Sequence, residues 1–131
     1  MAPAAFAVLP TRTLAGELVG RVLPVIFWSG MLLGIAAAIV CRMTGTALLP
    51  LAGCVVTVLS CAVAQLLISP RIERVRAAIG GPVDALDAAD PRRIDFGRLH
   101  GLSVLSMGVA GVGAIVALAA IAHFLSARSS A

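Results

Sequence analysis

The chain has no lysine and no tyrosine, one tryptophan, four phenylalanines and only six acidic residues among 131. Each scarcity excludes something. Aromatic poverty argues against single-stranded nucleic-acid binding, which stacks bases on rings, so no nucleic-acid partner is expected. Charged residues make up 12% of the chain, about half the share of a soluble domain, so a water-soluble enzyme and a disordered tail are both poor descriptions. Three cysteines, in neither CxxC nor CxxxC spacing, do not make a disulfide framework. No pair of intramembrane histidines stands ready for haem, no acid pair is present, and no nucleophile sits beside a base. The expectation is therefore a protein that is not an enzyme and carries no cofactor.

What is abundant is hydrocarbon. The chain is 60% hydrophobic with a mean hydropathy of +1.07. So small a domain buries the least of its surface, and the excess must face lipid. The gaps between charges then draw the architecture. Twenty residues separate Arg21 from Arg42, 28 separate Arg42 from Arg71, and 29 separate Arg98 from Arg128. Each is long enough for the ~20-residue helix that crosses a bilayer. Spans are expected at 22–41, 48–68 and 99–125. They should be helices, because lipid offers backbone groups no water and the runs lack the alternation of barrel strands.

The connections set the orientation. The first, Arg42 to Ala47, is short and holds Thr44 and Gly45, with Pro50 following in the opening turn of the second helix. The second, 69–98, carries Arg71, Arg74, Arg76, Arg92, Arg93 and Arg98. Three spans place Arg12 and Arg21 on that same side, leaving only Arg42 and Arg128 opposite. The positive-inside rule then puts the loop and the N-terminal segment in the cytoplasm of a cell with an inner membrane. Within the loop, Ser69 is read as a cap, Pro70 as the first helical residue and Gly80-Gly81-Pro82 as a stop. The short helix 70–79 has Ile72, Val75 and Ile79 on one stripe, and Arg71, Arg74 and Arg76 are read as headgroup anchors; a protein-docking surface is the competing reading. Asp90 is expected to cap the helix that leads into the third span. Asp84, Asp87 and Asp90 look like metal ligands on paper, but beside Arg92 and Arg93 they read as solvated counter-charges, and no metal is expected there.

The opening, Met1 to Pro10, is apolar yet too short to cross and lacks a basic n-region. It reads as the tail of a truncated span. An amphipathic lead-in follows, with Glu17 and Arg21 four apart. Residues 1–21 are thus a remnant plus lead-in to one integral-membrane domain, 1–131. The fold class is all-α: an antiparallel bundle of three transmembrane helices, four in the presumed full-length form, with an amphipathic cytoplasmic helix.

Ala2-Pro3-Ala4-Ala5-Phe6, Ala15-Gly16, Val22-Leu23-Pro24, Ser69-Pro70-Arg71-Ile72 and above all Arg93-Ile94-Asp95-Phe96-Gly97-Arg98-Leu99-His100-Gly101-Leu102-Ser103 together resemble a four-span family. It is a bacterial integral-membrane domain of unknown function similar to eukaryotic transmembrane protein 205. The resemblance covers most of the chain, apart from the first span, and Met107 stands where the family leads one to expect an amide. It implies a multi-pass membrane protein without an assigned activity.

Among single residues, His100 is the most informative, since an ionisable group near a span's end needs a partner or the headgroups. It shares a helix face with Ser103 and Met107, and Arg98 lies two positions before it. An interfacial imidazole bonded to a neighbouring helix is the plainer reading; a proton relay or ligand contact is the functional one. Cys41, Cys54 and Cys61, with Met31, Met43 and Met107, invite a soft-metal reading, set against thiols packing as small apolar groups. Gly30 and Gly34, and the series Gly97, Gly101, Gly108 and Gly111, are expected to be helix-packing seams; Gly108 to Gly113, mid-bilayer with no strand before it, is not a phosphate loop. The function these readings favour is a non-enzymatic membrane component or accessory subunit. Its partners would be the lipid bilayer and either a second copy or another membrane protein. The alternative is a small-solute or metal-related transporter that uses His100.

Overall fold

The computed structural model describes residues 12–45 and 48–129, with the backbone alone for residues 12–15 and for Glu17. The reading of Met1 to Pro10 as a span remnant, and the Glu17–Arg21 pair, lie outside what is described. Helix α1 is Arg12–Met43, α2 is Leu48–Ala62, α3 is Ser69–Ile79 and α4 is Pro91–Ser129. A π-helical segment, Val63–Ile68, joins α2 to α3, and a 3₁₀ turn, Val83–Ala85, lies between α3 and α4. The described residues contain no strand, as expected where every backbone group must be satisfied within its own segment.

Among the described residues, three helical bodies are long and apolar enough to cross a membrane: Leu18–Met43, Leu48–Ile79 and Pro91–Ser129. The protein is an all-α membrane bundle. Its helices outrun the expected spans, because α4 alone, with 39 residues, is roughly 58 Å long against a hydrocarbon core of about 30 Å. The lead-in before Val22 is continuous with the first span, and α1 runs through Pro24 as one helix. Leu32, Leu33, Ile115 and Leu118 are each about two-thirds exposed, the condition of side chains whose solvent is lipid.

Helix α2 is the middle of the bundle. A third of the apolar window of Leu48–Ile79 is buried, against 11% for α1 and 17% for α4. Helices α1 and α4 each pack along α2 and scarcely meet one another. Small residues make this possible. A methyl at Gly53 would stand 2.7 Å from the Gly113 carbonyl oxygen, so α2 and α4 touch backbone to backbone there. Beside this contact the Thr57 hydroxyl reaches both its own helix at Gly53 O (3.0 Å) and α4 at Ala110 O (3.1 Å). Such an interhelical hydrogen bond is worth about 0.6–2 kcal/mol in a membrane. On the other side of α2, Gly30 meets Cys61 Sγ and Gly34 meets the Val58 methyl at built-Cβ distances of 2.8 and 2.7 Å.

The seam on α4 is not the one expected. Its buried residues are Ser103, Ala110, Gly113 and Ala117. Gly97, Gly101, Gly108 and Gly111 are all exposed, and a methyl added to any of them would meet nothing within 4 Å. The reason is angular. Gly111 and Gly113 are two positions apart, about 200° around the helix, so a packed Gly113 turns Gly111 outward.

The junction between α2 and α3 is the second correction. Ser69 does not cap a new helix: its hydroxyl bonds to Ala64 O at 3.0 Å, five residues back, as does its backbone N–H. The π turn carries the second span into α3 without a break. Pro70 is accommodated because the widened turn moves the preceding carbonyls away from where a regular α-helix would set them against its ring. Helix α3 therefore extends the second span rather than starting afresh at the headgroups. It ends as expected, on Gly80 at φ +66° with its N–H bonded to Arg76 O. Asp90 caps α4 through the Arg92 N–H at 2.9 Å and clasps the Arg92 guanidinium at 2.8 and 3.1 Å.

Candidate functional site

At the arginine-rich end a cleft of about 1180 Å³ opens between α1, α4 and the run of the π turn and α3. Two ladders of mostly polar side chains face it. Gln65, Ser69, Ile72 and Arg76 recur at helical spacing along the π turn and α3; Ser103, His100, Phe96 and Arg93 do the same along α4. Val19, Gly20, Leu23 and Pro24 of α1 form the third, apolar wall. Below the cleft Phe27, 1% exposed, fills the space among the helices against Cys61, Ala64 and Ala110. The cleft is therefore open at one end and stopped at the other.

Its upper part is built around one aromatic ring. The Arg76 guanidinium lies 5.8 Å from the Phe96 centroid, and the His100 ring stacks on Phe96 at 6.2 Å with an interplanar angle of 6°. A side chain at position 20 would crowd Arg76: a built Cβ at Gly20 stands 3.1 Å from Arg76 Nη1. Arg76 keeps a loose ion pair with Glu73 at 3.6 Å. Arg93 donates from Nη1 to Leu86 O at 2.7 Å, tying the loop to the top of α4. Outside the membrane, the Arg92 clasp holds the Asp90 carboxyl below the usual aspartate range.

The floor has a different character. Ser103 is 3% exposed. The Gln65 amide oxygen is buried and accepts no hydrogen bond. An unsatisfied buried acceptor costs about 1–3 kcal/mol, so it marks a position where a donor belongs.

Of the residues singled out from sequence, His100 and Ser103 line the cleft together. Arg98 does not join them; it is exposed and absent from the lining, as is Met107. Arg71 and Arg74 are exposed, as headgroup anchors would be, whereas Arg76 turns inward to Phe96. Gln65 and Arg93 are the cleft residues that sequence reasoning missed, and the inward turn of Arg76, named there as a headgroup anchor, was not foreseen. Gln65 had a signal, being the only glutamine in the chain and set within a 28-residue stretch without a charge. Arg76 had none, since its direction depends on the π turn. No group of three or more His, Cys, Asp or Glu that could hold a metal occurs among the described residues. Cys41 and Cys54 lie in one buried cluster with their thiols in hydrogen-bonding reach, while Cys61 sits apart against Phe27.

Fold and site together define an all-α integral membrane domain whose described residues include three helices able to cross a bilayer and a one-ended polar cleft. The family model that matches, over residues 1–80, is a domain of unknown function (DUF4149), and the chain belongs to that family. The match takes in α1, α2 and α3 and stops at Gly80, before α4. No curated protein and no solved structure matched the chain.

Proposed function

We propose that this protein is a non-enzymatic component of a bacterial inner membrane, related to eukaryotic transmembrane protein 205, whose working feature is the cleft at the arginine-rich end. The single observation that carries this reading is the one-ended shape. Polar groups converge on a space closed beneath by Phe27, which suits holding a ligand better than conducting one. The arginine-rich loop is cytoplasmic in this reading, supported by eight arginines on its side against two on the other. The exposed Gly97, Gly101, Gly108 and Gly111 face suits close approach by a helix of a second copy or another membrane protein, the accessory-subunit part of the reading.

The test compares His100→Ala and Ser103→Leu with the parent chain for membrane level and for any growth or solute phenotype of a deletion strain. Loss of phenotype at unchanged protein level supports the cleft as the working site; loss in proportion to protein level overturns it. A second reading, small-solute or metal-related transport, uses the same cleft and requires Phe27 to move aside. It expects Phe27→Ala to raise solute flux in proteoliposomes, and unchanged flux sinks it.

A further inference from the structure

We propose that the cleft binds one phospholipid of the surrounding leaflet by an anionic, hydroxyl-bearing headgroup of the phosphatidylglycerol class. This rests on the cleft being the working site and goes on to name its occupant. Four features of the cleft select that chemistry.

The first is charge at the right height. The Arg76 guanidinium, held over Phe96 and admitted by the bare backbone of Gly20, is turned into the cleft, where its N–H fork can take a phosphate bidentately. Its partner Glu73 is 65% exposed and 3.6 Å away, a weak competitor for a buried phosphate. Arg93 adds positive charge above it. The second feature is the buried Gln65 amide oxygen, which requires a donor. A phosphodiester supplies none, and a choline headgroup supplies none either. A glycerol hydroxyl does. Gln65 and Arg76 are eleven residues apart, about 16 Å along the helix axis, and a side chain leaning back toward the helix N-terminus, as helical side chains do, shortens the gap from the arginine end. A glycerol phosphate extended between them bridges the remainder.

The third feature is a way in from the side. Helices α1 and α4 hardly touch, and the edges of the opening carry Gly16 on α1 and Gly97 on α4, around which a built Cβ meets nothing within 4 Å. An acyl chain can leave between them into the bilayer. The fourth is size. At about 1180 Å³ the cleft exceeds the ~300–1,000 Å³ of a typical small-molecule pocket, leaving room for a headgroup and the first carbons of its chains. The apolar wall of Val19, Leu23 and Pro24 suits those carbons.

The experiment uses the full chain, purified in mild detergent and offered equal amounts of phosphatidylglycerol and phosphatidylcholine, with retained lipid counted by native mass spectrometry. One phosphatidylglycerol per chain is expected, preferred about tenfold, with Arg76→Gln and Gln65→Leu each removing about tenfold of that preference. Paired Arg71→Gln and Arg74→Gln substitutions, outside the cleft, should leave it intact. Thermal melting of every variant in the same detergent identifies any that fails to fold. Equal retention of the two lipids, or a preference that follows Arg71 and Arg74, overturns the headgroup assignment. Glycerol 3-phosphate displacing the lipid at equal concentration also overturns it, in favour of a soluble ligand. In these cases the cleft reading stands if Gln65→Leu still changes what is retained. If no ligand is retained and neither Gln65→Leu nor Ser103→Leu alters anything, both proposals fall.

Discussion

Glycine has two opposite meanings in this chain, and only its neighbours distinguish them. Gly53 is where α2 meets the α4 backbone, so Gly53→Ala forces a methyl to within 2.7 Å of the Gly113 carbonyl oxygen and 2.9 Å of the Ala117 nitrogen. Backbone cannot swing aside as a flexible side chain can. A loss of about 1–3 kcal/mol is expected, seen as a lower melting temperature in detergent. Gly108→Ala, by contrast, adds a methyl in open space and improves helix propensity, so stability should hold or rise by up to ~1 kcal/mol. If both variants lose stability equally, the described α2–α4 seam is wrong. Asp90 makes a second residue-scale prediction. Its folded pKa is depressed by the Arg92 hydrogen bonds, so its contribution to the start of α4 is present above the ordinary aspartate range and disappears as pH falls through the lowered folded value. An NMR titration should place the Asp90 carboxyl below the usual ~3.9, and Arg92→Ala should raise it only part of the way, because the backbone N–H at position 92 still caps the carboxylate. An Asp90 that titrates normally in the parent chain contradicts the clasp.

The π turn decides what α3 does. A π segment holds one more residue than the α-helix it interrupts, and each residue turns the chain about 100°. Leu66 and Leu67 are both 56% exposed, so either can be deleted at little packing cost. Deleting Leu67 should leave membrane insertion unchanged and rotate Arg76 away from Gly20 and Phe96. Cysteines introduced by Gly20→Cys and Arg76→Cys should be joined by a short bismaleimide in the parent background and not in the deletion. Joining in both would show that the π turn does not set the direction of α3. The opposite end of the bundle has its own reporter. Cys41 and Cys54 share one buried cluster, so mild copper-phenanthroline oxidation should link them within a chain and leave Cys61 alkylatable. Retention of all three thiols would mean that α1 and α2 do not converge there.

At the scale of the whole molecule the governing quantity is apolar surface that protein cannot cover. The chain should sediment with membranes after carbonate washing and enter solution only with detergent. A reporter placed in the Gly80–Asp90 loop should be protected or accessible as a cytoplasmic segment is. A chain that stays in the supernatant would overturn the membrane reading, and a loop on the outer face would overturn the orientation. Much of this was legible in the sequence because it depends on one-dimensional quantities. Charge-free runs count helix length, Asp90 and Gly80 act within one turn of themselves, and hydropathy needs no partner. Other features were illegible for an equally physical reason. Which of two glycines on α4 faces α2 is a matter of rotation about the helix axis, and lipid, equally apolar all round, leaves no pattern from which to read it. Ser69-Pro70 looked like a helix start because a local motif cannot show that the preceding turn has widened to admit the proline. Sequence alone thus determined the solvent, which of the described stretches are long and apolar enough to cross, and the arginine-rich end, all consequences of composition along a line. Only the tertiary structure decided that α2 is central, that Arg76 points inward and that the Gln65 amide oxygen is buried without a donor, because those depend on how three nearly featureless rods rotate against one another.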